Sequence, residues 1–201
     1  MEALIAYLVS AMLAWAPPWC SEGERPSTHA CRVGRTYPDA VEDRDATIAR
    51  YEQIAADVAL VVLEERPIVG GRDARARTAL LLLSFGFFES AFRRDVDLNL
   101  GKFARGDFGH SWGIWQLRLD ARGIKTTKEG WTGPDLIADR TKGARAALHK
   151  MQGAVGLCRG SLADRLTLYR WGTCREADDN AKARVALAER WVASHPPPPL
   201  D

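Results

Sequence analysis

A single glutamate closes an apolar run in this chain: in "ALLLLSFGFFES" Glu89 follows a stretch, 78–88, without one charged residue. A carboxyl group at the end of a buried helix is partly desolvated, which disfavours its charged form. An acid that keeps its proton near neutral pH can hand it to a leaving oxygen, as cleavage of a glycosidic bond requires. Alone, Glu89 reads equally as a solvated helix end, the commoner fate of a glutamate in that position.

The context comes downstream, in "GDFGHSWGIWQL". Its pattern, Asp107-x-Gly109-x-x-Trp112-Gly113-x-x-Gln116, resembles the segment of goose-type lysozymes and soluble lytic transglycosylases that follows their catalytic "ES" and reads D-x-G-x-x-F-G-L-M-Q. Trp112 takes the aromatic place; Ile114 and Trp115 fill the two apolar places before the glutamine. "YRWG" at Tyr169 to Gly172 resembles the same family's later Y-N-x-G turn, with only the tyrosine and glycine positions matching. The resemblance spans residues 74–174. It implies a lysozyme-like helical domain with a small β-hairpin beside a glycan cleft. It also implies Glu89 as general acid, Asp107 as a second acidic group, and Gln116 and Tyr169 as cleft residues facing substrate.

Two departures bear on mechanism. The stretch from Glu89 to Asp107 is longer than in the goose-type pattern, and Arg118 stands where those enzymes carry an aspartate two residues after the glutamine. Asp120 is the nearest acid, and on a strand it shares a face with Arg118 and Gln116. Without a second carboxylate to hold water, the lytic transglycosylase outcome stays open, in which the sugar's own hydroxyl attacks and closes a 1,6-anhydro ring. Asp95 and Asp97 read as a solvated cluster with Arg93 and Arg94, Asp97 being a reserve for the role of Asp107. Ser111 either bonds a glycan amide or closes the turn. Trp112, Trp115 and Trp131 have faces that suit pyranose rings, although each alone reads first as core. His110 reads as an exposed loop residue. His29, His149 and His195 lack metal-ligand spacing, and no metal or other cofactor is expected.

Helices must position these groups. Ile48, Tyr51, Ala55, Val58 and Val62 form one face of a helix over 44–66, ended by Pro67 and Gly70-Gly71. The run from Ala79 to Phe88 is apolar all round, as in a core helix, and Gly86 within it invites close packing. From 95 to 120 glycines break any helical period, and "WGIWQLRL" alternates like a hairpin. Thr132 and Pro134 open a helix continuing to Met151. Ser161 and Asp164 form a capping-box start, and a last helix runs over 177–194 before the polyproline tail 195–201.

The length suits one domain, 44–194. A net charge of +2 with no basic block argues against nucleic acid. The cysteines fall into two local pairs, Cys20 with Cys31 and Cys158 with Cys174, whose spacings fit disulfides and not zinc. Disulfides point to a secreted or periplasmic setting. The first pair pins a linker, 17–43. Residues 1–16 combine an apolar run with an A-x-A triplet, as a signal peptide does, yet Glu2 and Pro17 count against one; a packed N-terminal helix is the other reading. The run is too short to span a bilayer.

These readings converge on a monomeric enzyme that cuts the β-1,4 bond between N-acetylmuramic acid and N-acetylglucosamine in peptidoglycan, for a bacterium's own wall or as a phage lysis or virion protein. The rivals are a glycan-binding or structural protein without turnover and a chitinase- or chitosanase-like enzyme, since nothing in the sequence reads the lactyl group of muramic acid.

Overall fold

The computed structural model describes residues 1–18, 37–119 and 124–200. In chain order these form α1 (Glu2–Trp15), α2 (Arg44–Glu64), α3 (Ala74–Ser90), α4 (Arg94–Asp97), β1 (Ser111–Trp112), β2 (Leu117–Arg118), α5 (Gly133–Ala138), α6 (Arg140–Leu157), α7 (Leu162–Trp171) and α8 (Asp179–Ser194). Short 3-10 turns lie at Pro38–Ala40 and Asp107–Gly109. The protein is mainly α with one small antiparallel hairpin, paired Ser111 to Arg118 and Trp112 to Leu117.

The apolar run folds as α3, whose residues Ala79 to Gly86 are buried on every side. It packs against α1, α2, α6 and α8. Gly86 is where the hairpin touches it: a Cβ there would lie 3.1 Å from the Phe92 ring and 3.4 Å from Trp115 Nε1. With no side chain in the way, the Trp115 indole comes close enough to donate to Leu82 O at 2.9 Å. Past Ser90 the chain turns sharply through two left-handed residues, Ala91 (φ 50°) and Phe92 (φ 51°), which ends the helix directly after Glu89 and Ser90.

Capping side chains fix the other boundaries. Asp43 accepts from Ala46 N at the start of α2, and capping boxes built by Thr132 with Asp135 and by Ser161 with Asp164 start α5 and α7. The helix expected over 132–151 is broken at Asp139, whose extended backbone (φ −138°, ψ 100°) ends α5 while its carboxylate caps α6 by accepting from Thr141 N. The break frees Arg140 to reach Asp97 and Asp57.

Residues 1–16 pack as a core element. Leu4, Leu8, Ala11 and Met12 of α1 are fully buried, Tyr51 of α2 donates to Ala16 O, and Trp15 meets Phe87 and Trp191. Within 37–43 the chain is anchored: Tyr37 stacks edge-on to Phe103 under the Arg93 guanidinium and a 3-10 turn follows it. Cys20, Cys31 and Asp120 lie outside the described residues. The tail packs on the domain: His195 stacks on Trp191, its carbonyl accepts from Tyr7, and Leu200 packs on the main core. Asp95 and Asp97 are not solvated. Asp95 is held by Arg93, and Asp97 by a bidentate bond to Arg140 with Arg50 at 3.5 Å, so neither is open to a ligand.

Cys158 and Cys174 form a disulfide, Cα to Cα 5.5 Å, that ties the end of α6 to the segment after α7. No helix among the described residues is long and apolar enough to cross a membrane.

Candidate active site

Four elements meet around one open cleft of about 870 Å³. Glu89 comes from the last turn of α3; Gly106, Asp107, Ser111, Gln116 and Arg118 come from the hairpin and the loop before it. Ile124, Lys150 of α6, and the end of α7 with the two residues after it, Tyr169 to Thr173, complete the lining. Glu89, Asp107, Ser111, Gln116 and Tyr169, all singled out in the sequence, thus share one cavity.

Trp112 does not join them. It is buried, with the Arg105 guanidinium 4.4 Å over its ring, and it fills the space that a side chain at Gly133 would need. Its work is to dock the hairpin on the start of α5. Trp115 is likewise core, and Trp131 is half-buried against it. His110 is half-buried and not exposed.

The loop that carries Asp107 is strained. Asp107 (φ 49°), Phe108 (φ 56°) and Gln116 (φ 45°) all sit in the left-handed region, a departure that costs on the order of 1 kcal/mol each and collects at functional sites. Side chains hold it: Gln116 Oε1 accepts from Gly106 N at 2.7 Å, its Nε2 donates to Gly113 O at 2.9 Å, and Ser111 donates to Asp107 Oδ2 at 2.8 Å. A Cβ at Gly106 would lie 2.5 Å from Gln116 Oε1, so the bond needs glycine there. Gln116 and Ser111 are therefore braces of the cleft wall, while the Asp107 carboxylate is left exposed.

Tyr169 has a similar position. Its hydroxyl donates to Trp115 O at 2.8 Å, its ring packs edge-on to Phe85, and burial pushes its pKa well above the usual phenol range, with the nearby Glu89 adding to the shift. It remains a neutral post that joins α7 to the hairpin beside the glutamate.

Glu89 is partly buried and has an ion-pair partner. Its side chain is 22% exposed, and Oε1 accepts from Arg184 Nη1 of α8 at 2.6 Å. Arg184 is itself buried: its Nε donates to Asn180 Oδ1 and its guanidinium lies over Phe85 (5.0 Å) and Phe88 (5.3 Å). A signal for Arg184 was in the sequence, because it stands in the buried stripe of α8 with Ala181 and Ala188.

Three further lining residues escaped the sequence reading. Lys150 Nζ lies 4.4 Å over the Tyr169 ring, Trp171 offers a half-exposed indole, and Arg170 pairs with Asp178 at 2.9 Å. Desolvation pushes the Lys150 amine's pKa down; Glu89 and Asp107 pull it back up, and Arg118 pushes it down again. Among the described residues no group of three or more His, Cys, Asp or Glu gathers to hold a metal.

The cleft can therefore do three things. It can bring a carboxyl group to a bound polymer, present the exposed edge of the Trp171 indole beneath two arginines, and meet an anion with Arg118 and Lys150. No family model, curated protein or solved structure matches this chain.

Proposed function

We propose that this protein is a peptidoglycan-cleaving glycosidase that cuts the β-1,4 bond between N-acetylmuramic acid and N-acetylglucosamine, with Glu89 as its acid and then its base. One observation carries the reading: Glu89, Asp107, Ser111, Gln116 and Tyr169, drawn from residues 80 apart, line a single cleft of about 870 Å³. That space suits a few sugar rings, and Trp171 lines it with an indole that the Arg170 and Arg175 guanidiniums approach at 4.5 and 4.6 Å.

Because Arg184 takes Oε1 of Glu89, Oε2 is the oxygen that carries the proton to the leaving glycosidic oxygen in this scheme. The carboxylate left behind then removes a proton either from water, giving a reducing muramic end, or from the sugar's 6-hydroxyl, giving the anhydro ring. Arg118, standing at the expected place of an acid, leaves Asp107 as the one other carboxylate lining the cleft among the described residues. The anhydro product follows more readily from that arrangement, which has one fewer group to hold a water. Export, a wall or phage setting and a monomeric state belong to the same reading, the first of them supported by the Cys158–Cys174 disulfide.

A second reading has its own observation. The Arg184 contact holds one oxygen of Glu89 in a largely buried ion pair that ties α3 to α8, a structural role that suits a glycan-binding protein which never turns substrate over. Mass spectrometry of digested purified peptidoglycan separates the two. Anhydromuramyl ends identify the transglycosylase, reducing muramic ends the hydrolase, and intact strands the binder. Glu89→Gln keeps an oxygen for Arg184 and is expected to lower cleavage by at least ~100-fold while the protein still melts cooperatively. Cleavage at the wild-type rate would remove Glu89 from the mechanism.

A further inference from the structure

We propose that Arg118 and Lys150 form a carboxylate-reading site, and that it takes the acidic peptide branch of a muramyl glycan whose sugar backbone lies in the main cleft. The inference rests on the peptidoglycan reading above and supplies what the sequence lacked, a group that tells muramyl polymers from chitin.

The shape of the cavity is the first argument. A second concavity of about 360 Å³ adjoins the cleft and shares Arg118, Ile124 and Lys150 with it. The two cations therefore stand at the junction, with the main cleft on one side and, on the other, a pocket running past Leu117, Thr127 and Gly153. A linear neutral polymer needs no such side space. A glycan with a branch on every second sugar does, and its branch leaves the lactyl ether close to the bond that Glu89 would cut.

Charge is the second argument. Within the cleft Glu89 is matched by Arg184 and Arg170 by Asp178, while Asp107 accepts from Ser111. In the side pocket the one lining carboxylate among the described residues, Glu129, is bonded to His149 at 2.6 Å. That leaves Arg118 and Lys150 at the junction, and Lys128 in the side pocket alone, all reaching solvent with no carboxylate within ion-pairing distance among the described residues. Arg118 disfavours the protonated Lys150 amine, though less strongly than Glu89 and Asp107 favour it. A carboxylate bound between Arg118 and Lys150 relieves that repulsion, and the planar Arg118 fork suits bidentate contact while Lys150 adds a point charge. A peptide stem carries several free carboxylates; chitin carries none.

Calorimetry on the Glu89→Gln protein tests this with three soluble probes: chitotetraose, a muramyl tetrasaccharide stripped of peptide, and the same tetrasaccharide bearing its stems. Stripping leaves the lactyl carboxylate, so the last two separate that group from the stem. The stem-bearing probe is expected to bind tightest, and Arg118→Gln and Lys150→Gln to weaken it by roughly three-fold each, with Lys150→Arg restoring the loss. Equal affinity for the two muramyl probes, or equal losses on chitotetraose, overturns the proposal. Cleavage by the wild type without stem preference overturns it and spares the proposed function. Stem preference in a protein that releases no products upholds it and overturns the catalytic reading.

Discussion

Glu89 and Arg184 make one unit, and its energetics can be measured apart from any activity. The arginine is nearly inaccessible and the glutamate mostly so, so each carries a desolvation cost that the other offsets. Removing one partner strands the second: Arg184→Met is expected to lower the unfolding free energy by about 2–4 kcal/mol, read from urea denaturation. In the Glu89→Gln background the same change should cost less, since glutamine carries no charge to strand. A loss of equal size in both backgrounds would mean that the two residues are independent. The sequence offered Glu89 through its position after an apolar run, but not its partner's contact, which crosses 95 positions. The same reason hid the partners of Asp97: its bonds reach Arg140 and Arg50, whereas the local sequence sets only Arg93 and Arg94 beside it.

The helices carry their own pH sensor at their starts. Asp135, Asp139, Asp164 and Asp178 each cap or box a helix, and each has its pKa held below the usual aspartate value. The leading causes are the hydroxyls of Thr132, Thr141 and Ser161 and, for Asp178, the Ala181 N–H. A depressed pKa contributes stability that is present above the unfolded value and is lost as pH falls through the folded one. Thermal melts are therefore expected to hold steady from neutral down to about pH 5 and to fall below about pH 4. Asp164→Asn, which cannot titrate and keeps only one of the two accepting oxygens, should lower the neutral-pH melt somewhat and flatten that acid limb; an unchanged limb would deny the caps this role. Boundaries like these were legible because a cap is local: Thr132 and Ser161 sit three residues from their aspartates. Gly86 was legible as a close contact, though not that Trp115 would fill it. The disulfide was legible from spacing, and closing a loop of 16 residues with it contributes about 3 kcal/mol by restricting the unfolded chain. It restrains the α7 end that carries Tyr169, Arg170 and Trp171 into the cleft. The break at Asp139 was not legible, since nothing in the helical period marks a single extended residue whose effect is to aim Arg140 at Asp97.

At the scale of the molecule, the segment with two open readings is α1. An apolar run beside an A-x-A triplet has the same composition whether it is cleaved or buried, so only packing separates the cases. Leu4, Leu8 and Met12 reach no solvent, and the helix covers faces of both α2 and α3, the helix that ends in Glu89. Full burial of each such side chain contributes roughly 1.5–3 kcal/mol, so the three together approach the margin of about 5–15 kcal/mol that separates a folded domain from its unfolded chain. A chain lacking residues 1–15 is therefore expected to lose its cooperative melt, bind a hydrophobic dye, and fail to keep the α3 terminus and hairpin in register. The measurement is differential scanning calorimetry of the full and shortened chains side by side. Should the shortened chain melt cooperatively at the same temperature, the core would be complete without α1, and the leader reading would be the one that stands.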